Sequence, residues 1–328
     1  MTQRQLGNSG ISIERLVLGG NVFGWTADRE TSFAILDRFI DAGFNALDTA
    51  NIYSAWVPGH SGGESETVIG EWLAARGRRD QVVVATKVGA APRPVDGHWP
   101  CSLKADRIIT SVEGSLRRLR TDYIDLYQAH GDDPDTPIDE TLKAFETLIK
   151  AGKVRAIGAS HLSTAKLERA LTVSESTTLP RFDTVQPRYN LVARTEFEGE
   201  LQALCTRRGV GALCYGALAK GFLTGKYRTP DAVRGKVYAG MLEPFMDERG
   251  LRILDVVDLI ADAHETTPAA VATAWVLAQP AVTGAIAAVD TTAQFEELRH
   301  AADMSLSDED LRALQGASEP DTAPDLQS

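Results

Sequence analysis

Phe44-Asn45-Ala46-Leu47-Asp48-Thr49-Ala50-Asn51-Ile52-Tyr53 is a short apolar run that stops at a carboxylate and is followed five residues later by a tyrosine. The same design recurs twice. Val82-Val83-Val84-Ala85-Thr86-Lys87 stops at an amine, and Tyr123-Ile124-Asp125-Leu126-Tyr127-Gln128-Ala129-His130 stops at an imidazole. Short apolar runs between polar segments read as buried strands. On that reading Asp48, Lys87 and His130 stand at strand C-terminal ends, with Tyr53 just beyond. A fold that gathers those ends on one face brings the four together.

Outward from these runs the chain keeps a strict rhythm. Leu16 to Gly19, Asn45 to Asp48, Val82 to Lys87, Tyr123 to Tyr127, Val154 to Gly158, Thr184 to Gln186, Gly211 to Cys214 and Val282 to Ala287 are eight candidate strands. Helical patterns alternate with them. From Glu30 to Ala42 the apolar residues Phe33, Ile35, Leu36, Phe39 and Ile40 share one face. Pro137 to Ala151 opens after Asp135-Thr136 as cap, carries Leu142, Phe145 and Leu148, and closes at Gly152. Strand-helix alternation requires parallel strands, and eight units close into an α/β (β/α)8 TIM barrel. A β-hairpin around Gly7-Asn8-Ser9-Gly10 precedes the barrel, and extra C-terminal helices, Ala293 to Ala301 and Ser307 to Leu314, follow it. The expected organisation is a single barrel domain over residues 1–315, with a flexible tail over 316–328. Two irregular stretches, Ser54 to Gly63 and Tyr227 to Gly250, follow strand C-termini, where active-site loops belong.

Composition narrows the partner. A net charge of −11 and a pI near 5.1 argue against nucleic acid or an anionic membrane, both of which reward clustered Lys and Arg. Cys101, Cys205 and Cys214 are too few and too scattered for a disulfide framework or a zinc site. The N-terminus has no signal-peptide core, and no apolar run approaches the ~20 residues of a membrane span. The expectation is a cytoplasmic protein acting on a small molecule without a metal, and nothing in the chain specifies an oligomeric state.

The four polar residues suit proton transfer to a carbonyl. A tyrosine near pKa ~10 is a poor acid at neutral pH, and an adjacent ammonium lowers that value. Lys87 would supply the charge, Asp48 would hold Lys87, and His130 would orient the carbonyl oxygen. Asp48 and Lys87 alone read equally well as a buried ion pair; Tyr53 and His130 tip the reading toward chemistry. No G-x-G-x-x-G follows a candidate strand, which argues against a Rossmann dehydrogenase.

Over nearly its whole length the chain resembles the aldo-keto reductase family. The likeness rests on Leu18-Gly19-Gly20, Leu47-Asp48-Thr49-Ala50 with Tyr53, Ala85-Thr86-Lys87, and Tyr123-Ile124-Asp125-Leu126-Tyr127 with His130. It continues through Thr136-Pro137-Ile138, Gly152 to Gly158, Gln186 with Tyr189-Asn190-Leu191, and Gly221 to Tyr227. The resemblance implies a reversible NAD(P)H-dependent reduction of an aldehyde or ketone, with Tyr53 as general acid, Lys87 and Asp48 behind it, and His130 orienting the substrate. It implies that Ser160 and Gln186 hold the nicotinamide carboxamide and that Tyr215 stacks on the ring, while His161 reads equally as a further contact to the cofactor or as a polar filler. Leu218, Lys220, Gly221 and Arg234 would follow the pyrophosphate, and Gln294 and Glu297 the adenine.

The departures from the family pattern cluster. His161 replaces an asparagine, Gly216-Ala217 a Ser-Pro, Ala287-Ala288 a Pro-Gly and Leu298 an asparagine. Asp290 stands where a basic or hydroxyl residue often meets the 2′-phosphate of NADP(H), the family's default cofactor. A carboxylate repels that phosphate and accepts from a ribose hydroxyl, so NAD(H) becomes a candidate as well.

Trp25, Trp56 and Trp99 are candidates for an apolar substrate pocket, or equally anchors for their loops. His264 and His300 read as surface residues, and Ser61 to Glu66 reads as a helix start in preference to a phosphate loop. Two other functions compete. One is a non-catalytic nicotinamide-binding regulatory subunit like those of potassium channels. The other is a phosphate-binding barrel isomerase or aldolase using Lys87 as a Schiff base.

Overall fold

The structure, a computed structural model, describes residues 3–93, 95, 99–235 and 239–320. A two-stranded antiparallel hairpin, β1 (Gln3–Gln5) and β2 (Ser12–Glu14), opens the chain. Its turn uses Gly7 and Gly10, both with positive φ, a conformation that glycine adopts without strain. Eight parallel strands then close a barrel: β3 (Leu16–Gly19), β4 (Ala46–Asp48), β5 (Val83–Val88), β6 (Ile124–Ala129), β7 (Val154–Ser160), β8 (Phe182–Gln186), β9 (Gly211–Tyr215) and β10 (Val282–Ala287). Each pairs with its sequence neighbour, and β10 returns to β3. The fold is a (β/α)8 TIM barrel with an N-terminal hairpin.

Helices cover the strands, and the main apolar core lies between the two layers. The helix Arg29–Asp41 buries Phe33, Ile35, Leu36, Phe39 and Ile40, and the Asp28 carboxylate accepts from the Thr31 N–H at its start. Glu64–Arg76 begins behind Gly63, where the Glu64 carboxylate accepts from the N–H groups of Ser61 (2.9 Å) and Gly62 (3.3 Å). That carboxylate fills the place an anion would take.

Three expectations move. The helix expected from Pro137 runs Ile138–Lys150, and Asp135-Thr136 do not cap it. Thr136 turns away to donate to Asp133, which leaves Pro137 at the cap with no side-chain acceptor. The loop after β9 is shorter than expected, because Asp247 caps a helix over Glu248–Ala263 and short turns fill Pro230–Val233 and Ala239–Phe245. The chain also stays packed past residue 316. Its last helix, opened by a reciprocal Ser307–Asp310 capping box, spans Asp308–Ala317. Ser318 beyond it is fully buried, its hydroxyl accepting from Arg194 at 3.0 Å and its carbonyl from Arg249 at 2.8 Å. Residues 321–328 of the expected tail lie outside the described residues. Among the described residues no helix is long and apolar enough to cross a membrane.

Candidate active site

Strand parity decides what reaches the barrel interior. Val17, Ala46, Ala85, Leu126, Ala156, Leu213 and Ile286 form an apolar layer across it, joined from the N-terminal ends of the strands by Leu6 and Ile13 of the hairpin. Side chains repeat every second residue along a strand. One step further toward the C-terminal ends, the interior therefore receives Asp48, Lys87, Gln128, Gly158 and Tyr215. The apolar floor ends, and a polar layer begins.

Lys87 is the centre of that layer. It is fully buried, and its three ammonium hydrogens have three acceptors: Asp48 Oδ2 at 2.6 Å, the Thr49 carbonyl at 3.0 Å and the Tyr53 hydroxyl oxygen at 2.7 Å. Thr49 and Tyr53 sit beyond the end of β4, where the chain leaves the sheet, so one strand end supplies both the counter-charge and the phenol. Burial lowers the Lys87 pKa, and the charge of Asp48 opposes that change. The ion pair survives because both partners are hydrogen-bonded.

The expected depression of the Tyr53 pKa is not found. Burial first, and then the charge of Asp48, raise the phenol well above its ordinary value. Tyr53 thus holds its proton at neutral pH, and its long 3.5 Å separation from Asp48 Oδ2 leaves that proton only weakly engaged. His130 packs edge-on to Tyr53, with ring centroids 6.0 Å apart. Burial, Lys87 and His161 push His130 well below its ordinary pKa, so the ring is neutral, and its Nδ1 is buried without a partner.

The remaining residues divide. Ser160 and Gln186 stand side by side in register, the serine hydroxyl donating to the Gln186 carbonyl at 3.1 Å, while Gln186 Nε2 donates to Asp48 Oδ1 at 2.8 Å. His161 packs edge-on to Tyr215, with centroids 5.4 Å apart. Beyond Tyr215 the backbone enters left-handed conformations at Gly216, Ala219, Lys220 and Gly221, the kind of turn that makes an anion-binding nest. Partial desolvation and the neighbouring Arg188 guanidinium lower the Lys220 pKa. Arg188, whose guanidinium pairs with Glu196, lies beside Gly216 at the start of that turn, so Lys220 is the cation left for a pyrophosphate.

At the other end, Asp290 accepts from the Thr26 hydroxyl, and Gln294 accepts from the Asp290 N–H at 2.7 Å. Glu297 pairs with Lys226 at 3.2 Å. Arg234 pairs with Asp231, both highly exposed. Trp56 lies 6.0 Å from Tyr53 and 5.6 Å from Trp25, ring to ring, so it joins Trp25 to the phenol. Trp99 is 48% exposed, on a loop whose residues 94 and 96–98, including Gly97 and His98, lie outside the described residues.

Sequence reading passed over Gln128, which is fully buried and donates to Asp48 Oδ1 at 3.3 Å. The signal was present: Gln128 precedes His130 by two residues and shares its inward parity.

One parallel barrel thus gathers an acid, an ammonium, a phenol and an imidazole at its strand ends, a set suited to proton transfer. The model of the Aldo/keto reductase family matches residues 15–319, and the chain belongs to that family. It is 38% identical over 320 residues to the uncharacterized oxidoreductase YrpG of Bacillus subtilis (strain 168), covering 96% of this chain and 95% of that one. The aldo-keto reductase YhdN of the same organism is 31% identical over 323 residues, covering 96% and 92%. Norsolorinic acid reductase stcV of Emericella nidulans is 31% identical over 321 residues, covering 94% and 79%.

Proposed function

We propose that this oxidoreductase reversibly reduces an aldehyde or ketone with NAD(P)H, using Tyr53 as general acid. The observation that carries the reading is the saturation of Lys87: its third hydrogen bond goes to the Tyr53 oxygen, so the phenolic proton is left for an incoming carbonyl. Tyr215 would carry the ring of a reduced nicotinamide, a group that would supply the hydride. As the carbonyl oxygen gains charge, Tyr53 transfers its proton to it, and the phenolate that forms keeps its 2.7 Å contact with the Lys87 ammonium. Lys87 therefore acts on the product of the proton transfer more than on the resting phenol. Neutral His130 donates a hydrogen bond to the same oxygen and fixes its approach. Ser160 and Gln186 would hold the carboxamide, and Lys220 with the backbone turn after Tyr215 would hold the pyrophosphate.

The test pairs the protein with Tyr53→Phe, each incubated with NADPH or NADH and a panel of aldehydes, following the absorbance of the reduced nicotinamide. Removing a general acid should lower kcat roughly 10²–10⁴-fold, with cofactor affinity kept. Equal turnover by the two proteins removes Tyr53 from the role. Tight cofactor binding with no turnover of any carbonyl supports the regulatory subunit instead.

A further inference from the structure

Asp48 has two oxygens, and Lys87 uses one. The other, Oδ1, faces two buried amides: Gln186 Nε2 at 2.8 Å and Gln128 Nε2 at 3.3 Å, with Gln186 Nε2 also 3.3 Å from Gln128 Oε1. A carboxylate only accepts, so both amides must present their NH2 ends to it, and the Gln128 oxygen is left to take the second hydrogen of Gln186. Both amides thus converge on one carboxylate oxygen, and the Gln128 oxygen ties them to each other. All lie in the water-excluded layer, with Gln128 at 0% and Gln186 at 2% exposure. Lys87 faces Gln128 in strand register, and Gln128 faces Gly158. A Cβ at Gly158 would stand 3.3 Å from Gln128 Cγ, so the glycine leaves the space in which that side chain lies.

We propose that Gln128 is a positioning residue for the proton transfer: by holding Asp48 Oδ1 it turns Oδ2 toward Lys87 and so aims the ammonium at the Tyr53 oxygen. The inference rests on the proposed role of Tyr53. Gln128 is fully buried, and its effect passes through Asp48. Its loss therefore falls on the chemical step and leaves binding in place.

The experiment is a double-mutant cycle on the full chain with Gln128→Leu, which keeps the bulk and removes the amide, and Asp48→Asn. Single-turnover hydride transfer should fall about tenfold in Gln128→Leu, equivalent to about 1.4 kcal/mol. In the Asp48→Asn background the same substitution should cost less than about twofold, because coupled neighbours are non-additive. The dissociation constant for NADPH and the Tm should stay near those of the parent. An equal cost in both backgrounds, or a loss that follows Tm, overturns the proposal.

A second readout needs no turnover. The Gln128 side-chain NH2 signals in 15N-labelled protein, identified by their loss in Gln128→Leu, should exchange slowly and shift in Asp48→Asn; signals indifferent to Asp48→Asn also overturn the proposal. A protein that reduces no carbonyl, yet shows the coupled amide signals, refutes the role in proton transfer along with the enzyme reading, while the amide contact stands.

Discussion

Tyr53 has to keep its proton until a carbonyl oxygen arrives and release it then, and its surroundings divide those tasks. Burial and Asp48 hold the proton on, while Lys87 waits for the charge that its departure creates. Asp290 is proposed to make the opposite kind of choice, between ligands. Its carboxylate accepts from Thr26, and the family resemblance puts its position near the 2′-phosphate of NADP(H). Asp290→Ser should tighten NADP(H) binding about three- to tenfold, leave NAD(H) within about twofold, and lose much of the difference in high salt, since exposed charges are screened. Titration by fluorescence quenching at two ionic strengths checks it, and unchanged NADP(H) affinity sinks the role of Asp290.

At the scale of the element, β7 owes its place to a missing side chain. A Cβ on Gly158 would come within 2.2 Å of Thr184 Oγ1 on the neighbouring strand. Gly158→Ala should cost about 1–3 kcal/mol, the usual range for an overfilled interior, and lower the Tm by a few degrees. Adding Thr184→Ala should restore most of it in a thermal melt. The strands and their inward residues were legible in the sequence because period two and parallel alternation are local signals that the barrel amplifies. Asp48, Tyr53, Lys87 and His130 were read for that reason. What was not legible depended on distant partners. Ser318 is held by Arg194 and Arg249, 124 and 69 residues away, so nothing near the C-terminus marked it as packed. Thr136 fails as a cap because Asp133 takes its hydroxyl, although its composition suits a cap well. Gln128 carried the right parity, yet a lone amide in a strand names no chemistry until Asp48 and Gln186 are seen beside it.

For the whole molecule, the closed end of the barrel sets a pH dependence of stability. The hairpin is tied to it by Asn45 Oδ1, which accepts from the Glu14 N–H at 2.9 Å, and by Gly7, packed against the Asp183 backbone so closely that a Cβ there would meet the Asp183 carbonyl at 2.0 Å. Burial pushes the Asp183 carboxyl up to about 6, against the pull of Arg181 and the Asn8 N–H. Because the folded value lies above the unfolded one, the native state binds more protons between about pH 4 and 6. Stability therefore falls as pH rises through that window. Asp183→Asn should raise the Tm at pH 7.5 and have little effect at pH 4; a gain of equal size at both values would mean that charge is not the cause.

Leu6 and Ile13 close the barrel as a stopper closes a flask. Among the described residues that end is filled by buried apolar side chains, whereas the polar layer lies toward the strand C-terminal face. A cofactor and a substrate that meet at Tyr53 would then share one doorway. On the proposed placement, with the nicotinamide against Tyr215 and the carbonyl over it toward Trp25 and Trp56, the carbonyl product should leave first, and product-inhibition patterns would check that order.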